Sequence, residues 1–177
     1  ENGIVVVDDA IEAFGSEYKN KRIGNTGTDM TVYSFQTVRL PNTIDGGAIV
    51  FNNEELYNRA VLVRDFGIDR NKFRDELGEI SPECDVSISG YGATLNEINS
   101  YIGYSQMDKI DSLLEVQRNN AKKWNAIILG EHKEYEPVKI RDSVIPNYWI
   151  YGLLSTNKRE VIQQFRTKGF YASGVHL

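Results

Sequence analysis

The 177 residues include one cysteine, two histidines and four prolines. A lone thiol, Cys84, closes no disulfide within the chain and excludes a cysteine-rich zinc site. It fits a reducing, cytoplasmic compartment. His132 and His176 alone leave little room for a histidine metal centre. No apolar run approaches the roughly 20 residues that a membrane-spanning helix needs, and Ile4-Val5-Val6-Val7 is among the longest. Positive charge is scarce as well. Twenty Lys and Arg against 25 Asp and Glu give a net charge of −5. A nucleic-acid surface needs clustered positive charge, so neither a nucleic-acid nor a membrane partner is expected.

What is present is the composition of a globular protein, 41% hydrophobic and 25% charged, which excludes disordered, collagen-like and coiled-coil classes. Ile4 to Val7 reads as a strand buried on both faces, ending in Asp8 and Asp9. Residues 31–35 and 47–51 form two more strands. Asn52-Asn53-Glu54-Glu55 marks a helix N-terminus, and that helix stops near Gly67. Residues 68–90 read as a long irregular connection. Helical spacing of Leu95, Ile98, Ile102, Ile110, Leu113 and Leu114 predicts helix from 94 to 129, with Gly103 a break or close approach and Gly130 its C′ residue. A strand over 148–154, a helix capped by Asn157 and ending at Gly169, and a last strand over 171–177 complete the pattern. The alternation predicts an α/β layer structure followed by a smaller α+β unit. Opening on Glu1-Asn2-Gly3 and closing on Gly174-Val175-His176-Leu177, the sequence reads as a piece of a longer protein.

Two stretches have the residue types of a site. An acid at the C-terminal end of a parallel strand lies where α/β sheets bind ligands. There Asp9 could hold a protonated heterocycle nitrogen, or Asp8 or Asp9 could simply cap the following helix. In Tyr33-Ser34-Phe35-Gln36-Thr37-Val38-Arg39, followed by Asp45-Gly46-Gly47, a hydroxyl, a guanidinium and a glycine turn could surround a phosphate. The plainer alternative is a surface arginine beside a tight turn. Other conspicuous residues have structural readings. His176 is structural or part of an incomplete site, and Tyr148, Trp149 and Tyr151 pack on a helix or an interface. Lys122-Lys123-Trp124 is a solvated helix face with one anchoring aromatic, and Cys84 is inert.

In order along the chain come Val-Val-Asp-Asp-Ala-Ile-Glu-Ala-Phe-Gly (6–15), Tyr-Ser-Phe-Gln-Thr-Val-Arg (33–39), Asp-Gly-Gly-Ala-Ile-Val (45–50) and Asn-Glu-Glu-Leu (53–56). They resemble motifs of the DegT/StrS family of pyridoxal 5'-phosphate (PLP)-dependent nucleotide-sugar aminotransferases. Val63-Arg64-Asp65-Phe66-Gly67 resembles that family's Arg-Asp-His-Gly segment. Ser89-Gly90-Tyr91, Ile102-Gly103 and Gln106-Met107-Asp108 resemble its later segments. The resemblance implies an α/β fold: a partial three-layer sheet from a fold-type-I large domain over 1–118, then part of a small α+β domain over 119–177. It also implies that about the first third of the family's chain lies outside these residues. Homodimers, a nucleotide-sugar substrate, an amino-acid donor and a cytoplasmic role in glycan biosynthesis are implied with it.

By the same resemblance Asp9 meets the pyridine nitrogen of PLP, Ser34 binds its phosphate, and Glu12 takes the place of a Gln or His packed near the ring. A carboxylate at Asp9 would keep the nitrogen protonated and the ring a good electron sink. Gly92 stands in place of an asparagine that reaches the neighbouring subunit's phosphate, and Thr94 in place of an arginine. Arg39 stands where the family has its Schiff-base lysine, and no lysine lies between Arg22 and Arg70. An imine needs a neutral amine, whereas a guanidinium stays protonated with its lone pairs delocalised. Loss or impairment of transamination is therefore expected. The alternatives are an active aminotransferase drawing a lysine from elsewhere, or a PLP-dependent sugar dehydratase.

Overall fold

The computed structural model of the chain describes residues 3–132 and 134–175. In chain order its elements are β1 (Val7–Asp9), β2 (Glu17–Tyr18), β3 (Lys21–Arg22), β4 (Met30–Ser34) and β5 (Gly47–Phe51). There follow α1 (Glu54–Arg64), α2 (Glu97–Tyr104), a 3-10 turn (Met107–Lys109) and α3 (Ile110–Glu131). Last come β6 (Glu136–Pro137), β7 (Val144–Ile145), β8 (Leu153–Leu154) and α4 (Lys158–Thr167). The architecture is mixed α/β with partial sheets.

The sheet that carries Asp9 and Ser34 has the order β1-β4-β5. β1 lies parallel to β4, pairing Asp8 with Thr31 and Asp9 with Val32. β5 returns antiparallel, pairing Ser34 with Gly47 and Thr31 with Val50. The C-terminal ends of β1 and β4 therefore open onto one edge, together with the Gly46-Gly47 turn that starts β5. Both longer strands are rich in the β-branched and aromatic residues that suit a pleated surface.

α3 is the spine. Ile110, Leu114, Ala121 and Ile128 are buried at helical spacing along one stripe. Leu114 fills the space over Gly15, whose φ is +78° and whose added Cβ would stand 2.4 Å from a Leu114 methyl. One turn on, Arg118 donates to the carbonyls of Gly15 at 2.8 Å and Pro146 at 3.3 Å, fastening the loop after β1 to the later part of the chain. Further along α3, Trp124 stacks on Tyr151 at 6.0 Å and meets Phe165 and Phe170 edge-on or tilted. This second apolar cluster holds α4 against the helix.

Asparagines cap the three other helices as their sequence position demands. Asn53 Oδ1 accepts from Leu56 N–H at 2.9 Å, Asn96 Oδ1 from Asn99 N–H at 2.9 Å, and Asn157 Oδ1 from Glu160 N–H at 3.4 Å. Among the described residues, no helix is long and apolar enough to cross a membrane.

Several sequence expectations need correction. The apolar run from Ile4 is not buried: Val5, Val6 and Val7 are about half exposed, and the strand begins only at Val7. Among the described residues β1 pairs only with β4, on one edge. The helix expected over 94–129 is two helices with a 3-10 turn between them. Gly103 is a close approach rather than a break, since a Cβ there would stand 2.7 Å from a Thr43 methyl. Gly130 lies inside α3, which runs to Glu131. The strand expected over 148–154 shrinks to Leu153–Leu154, because Tyr148 takes a positive φ of 53° that breaks an extended run. Residues 170–175 form no strand, and His176 and Leu177 lie outside the described residues.

Candidate functional site

The register of the central sheet sorts neighbouring residues onto opposite faces, because strand side chains alternate. Asp8, Thr31 and Tyr33 share one face. Asp9, Val32 and Ser34 share the other.

The first face is committed to the fold. Thr31 is fully buried and Tyr33 nearly so. Asp8 accepts from the hydroxyls of Thr28 at 3.1 Å and Thr26 at 3.5 Å. The Tyr33 hydroxyl donates to the Ile23 carbonyl, and its ring meets Phe14 edge-on at 5.4 Å. Burial, and then the Asp8 carboxylate, push the Tyr33 phenol above its ordinary value by opposing a second negative charge.

The second face is open. Asp9 is exposed, and its carboxylate accepts a weak 3.3 Å bond from Ile11 N–H. Ser34 Oγ accepts from Gln36 N–H at 3.4 Å, which leaves its own O–H to donate elsewhere. A carboxylate and a hydroxyl thus stand on one face and at one edge, each with spare hydrogen-bonding capacity. That donor set suits a ligand with a protonated ring nitrogen at one end and an anion at the other, so these residues fit PLP.

Glu12 and Arg39 come together in a different arrangement. Arg39 Nη1 donates to Glu12 Oε1 at 3.1 Å, and the arginine side chain is only 11% exposed. Its guanidinium carbon lies 4.1 Å from the centre of the Trp149 ring. Trp149 in turn donates its indole N–H to the Val38 carbonyl at 2.7 Å. Asn147 completes the anchorage by donating to the Glu12 and Phe14 carbonyls at 2.8 and 3.0 Å. The Arg39 side chain is thus largely buried, unlike the free surface arginine of the plainer expectation. Beside this cluster, a cleft of about 280 Å³ opens between Glu12, Tyr148, Trp149 and Tyr151.

Gly92 and Thr94 are exposed. Gly92 bridges to Asp65, and a Cβ on it would stand 2.4 Å from the Phe66 ring. Glu12 thus meets Arg39, and Phe66 meets Gly92. The neighbouring Asp65 is held by both Arg70 Nε and Nη2 at 2.6 Å, and that hydrogen bonding keeps its carboxyl below the usual range.

No motif or spacing in the sequence marks Trp149 or Asn147 as members of this cluster. Packing is the sequence expectation for both Trp149 and Tyr151, and Tyr151 packs on Trp124 of α3. Trp149 lies 110 positions from Arg39, so no local spacing links them. The one available signal was that a buried-site arginine favours an aromatic partner, which names a residue type and no position.

The DegT/DnrJ/EryC1/StrS aminotransferase family model matches residues 1–176. A UDP-4-amino-4,6-dideoxy-N-acetyl-beta-L-altrosamine transaminase of Campylobacter jejuni is 30% identical over 151 residues, 85% of this chain and 38% of that protein. The sugar aminotransferase CalS13 from Micromonospora echinospora superposes with a TM-score of 0.85 at 30% identity, over 96% of this chain and 44% of that one. Spr1654 from Streptococcus pneumoniae, solved in a PLP-form, shares the fold at a TM-score of 0.77 and 23% identity, over 95% of this chain and 43% of that one. The fold is thus that of the type-I PLP-dependent transferases, and the chain spans less than half the length of these relatives. With its ordered motifs, its site edge and a match from residue 1 to residue 176, the chain belongs to the DegT/DnrJ/EryC1/StrS aminotransferase family.

Proposed function

We propose that this chain is part of a sugar aminotransferase relative that holds PLP without a covalent link and has lost most or all of its transamination. The observation that carries the reading is the commitment of Arg39, which is ion-paired to Glu12 and stacked on Trp149. When bound, the cofactor supplies an electron sink for a carbanion next to an amine. Asp9 holds the charge of the ring nitrogen, and Ser34 donates its hydroxyl to the phosphate. Arg39 supplies neither a neutral amine nor a base near neutral pH, since a guanidinium keeps its proton. It moves no proton here and fixes the position of Glu12 and Trp149 instead.

The wider reading has a nucleotide sugar as substrate or ligand, an amino acid as the ancestral donor, and a cytoplasmic setting. Two copies pair as a homodimer, and residues 1–118 and 119–177 belong to a large and a small domain. Support for pairing comes from α2, where Ile98, Tyr101 and Tyr104 are each more than 70% exposed. The test is to mix the full-length chain with PLP, measure binding by equilibrium dialysis, then reduce with borohydride and weigh the protein. Saturable binding with no mass gain is expected. A cofactor-sized mass gain on any lysine of the site would overturn the proposal.

A further inference from the structure

Glu12 and Trp149, 137 positions apart in sequence, both meet the Arg39 guanidinium, and one of its buried donors has no partner among the described residues. Nη1 serves Glu12 and the planar face lies on Trp149. Nε–H, however, is buried with no hydrogen-bond partner among the described residues. Gln117 Oε1 on α3 is in the same condition. The two orphans are complementary, one a donor and the other an acceptor. Both residues line a single small recess of about 10 Å³, together with Ile11, Glu12, Phe14, Leu40, Asn147 and Trp149. A volume on the order of 10–15 Å³ admits one water molecule, and a buried water needs at least two polar partners. Buried polar groups left unpaired are costly, so such a pair around a water-sized space is seldom left dry.

We propose that one buried water bridges Arg39 Nε–H to Gln117 Oε1 and makes Arg39 a positioning hub. Through it the loop after β4 is tied to α3, to Glu12 beyond β1, and to the 147–149 segment that closes one side of the cleft. The inference goes beyond the loss of transamination and does not need it, because no cofactor takes part. It also explains why arginine suits this place better than lysine. Lysine has no donor midway along its stem and no plane to lie on an indole. Charge towards Glu12 would survive an exchange, whereas the water contact and the stacking would go.

The test uses the full-length chain without cofactor. In a crystal or cryogenic structure of the unsubstituted protein, an ordered water within hydrogen-bond distance of both atoms is expected. A direct Nε–Oε1 bond or a dry cavity overturns the proposal. In solution, Arg39→Lys and Gln117→Leu should each lower Tm by about 2–4 °C, and the double variant should lose less than the sum because both remove the same bridge. Strictly additive losses count against it. Arg39→Lys should also red-shift tryptophan emission and steepen acrylamide quenching, with no such change in a Trp149→Phe background. Unchanged emission in Arg39→Lys refutes the hub, whatever happens to Tm.

Discussion

Asp8 and Asp9 are adjacent carboxylates at the end of one strand, yet they stand on the two faces of the central sheet and lead different lives. Asp8 joins Thr26, Thr28, Thr31 and Tyr33 on a face where every polar group is used by the fold. Asp9 joins Ser34 on a face where each group makes one long bond and keeps capacity to spare. The contrast teaches how to tell a group kept for a ligand from a group kept for stability. The first is under-committed within its own chain and the second is fully engaged. Arg39 stands between the two, ion-paired to Glu12 and stacked on Trp149 but with a buried Nε–H that no described residue accepts.

The sharpest break of the comparison would come from β4, where Tyr33 and Ser34 are neighbours on opposite faces. Tyr33→Ala is expected to cost about 3–5 kcal/mol in a denaturant titration, as for other buried aromatic truncations. Ser34→Ala should stay within about 0.5 kcal/mol. Equal losses would mean that the open face is part of the core after all.

Next in size is the carboxylate pair. Asp8→Ala should lower stability by about 1–3 kcal/mol through its threonine partners, and Asp9→Ala by less than about 0.5 kcal/mol. PLP affinity should respond in the opposite order. Asp9→Ala is expected to weaken binding by about tenfold or more, the worth of a hydrogen bond between charged groups, while Asp8→Ala changes it little. Dialysis of both variants against cofactor decides the matter.

The smallest effect is a pH dependence from the committed face. Folding raises the Tyr33 phenol above its ordinary value of 10.0, so the folded state binds this proton more tightly than the unfolded state. Its contribution to stability is therefore complete below about pH 10 and declines as pH rises through the folded value. Stability measured from pH 8 to 11 should fall less steeply in Tyr33→Phe than in the parent.

Much of the fold was legible because it rests on local chemistry. Asn53 and Asn157 cap the helices they precede, since a side-chain oxygen at that position satisfies N–H groups that have no partner within the helix. The runs at 30–34 and 47–51 form strands because β-branched residues favour that backbone. Errors arose where the outcome depends on a partner. Ile4 to Val7 has the composition of a buried strand, but burial requires layers on both sides, and composition does not supply them. Tyr148 looks like strand material, yet the anchoring of Asn147 and Trp149 forces its backbone out of line.

The site divides in the same way. Asp9, Glu12, Ser34 and Arg39 could be named from motifs, because each occupies a fixed place in an ordered series. Nothing local separated Asp9 from Asp8 in use, or showed that Glu12 and Arg39 would meet and that Phe66 would fill the space over Gly92. The sequence by itself determined the helix caps, the strand runs and the ordered motifs that mark the family. Only the tertiary structure decided which carboxylate stays free and what the arginine does. Those outcomes depend on strand register and on contacts between residues distant in sequence, such as Glu12 with Arg39 and Arg39 with Trp149. Hydrogen bonds and stacking act over a few ångströms of space, whatever the separation along the chain.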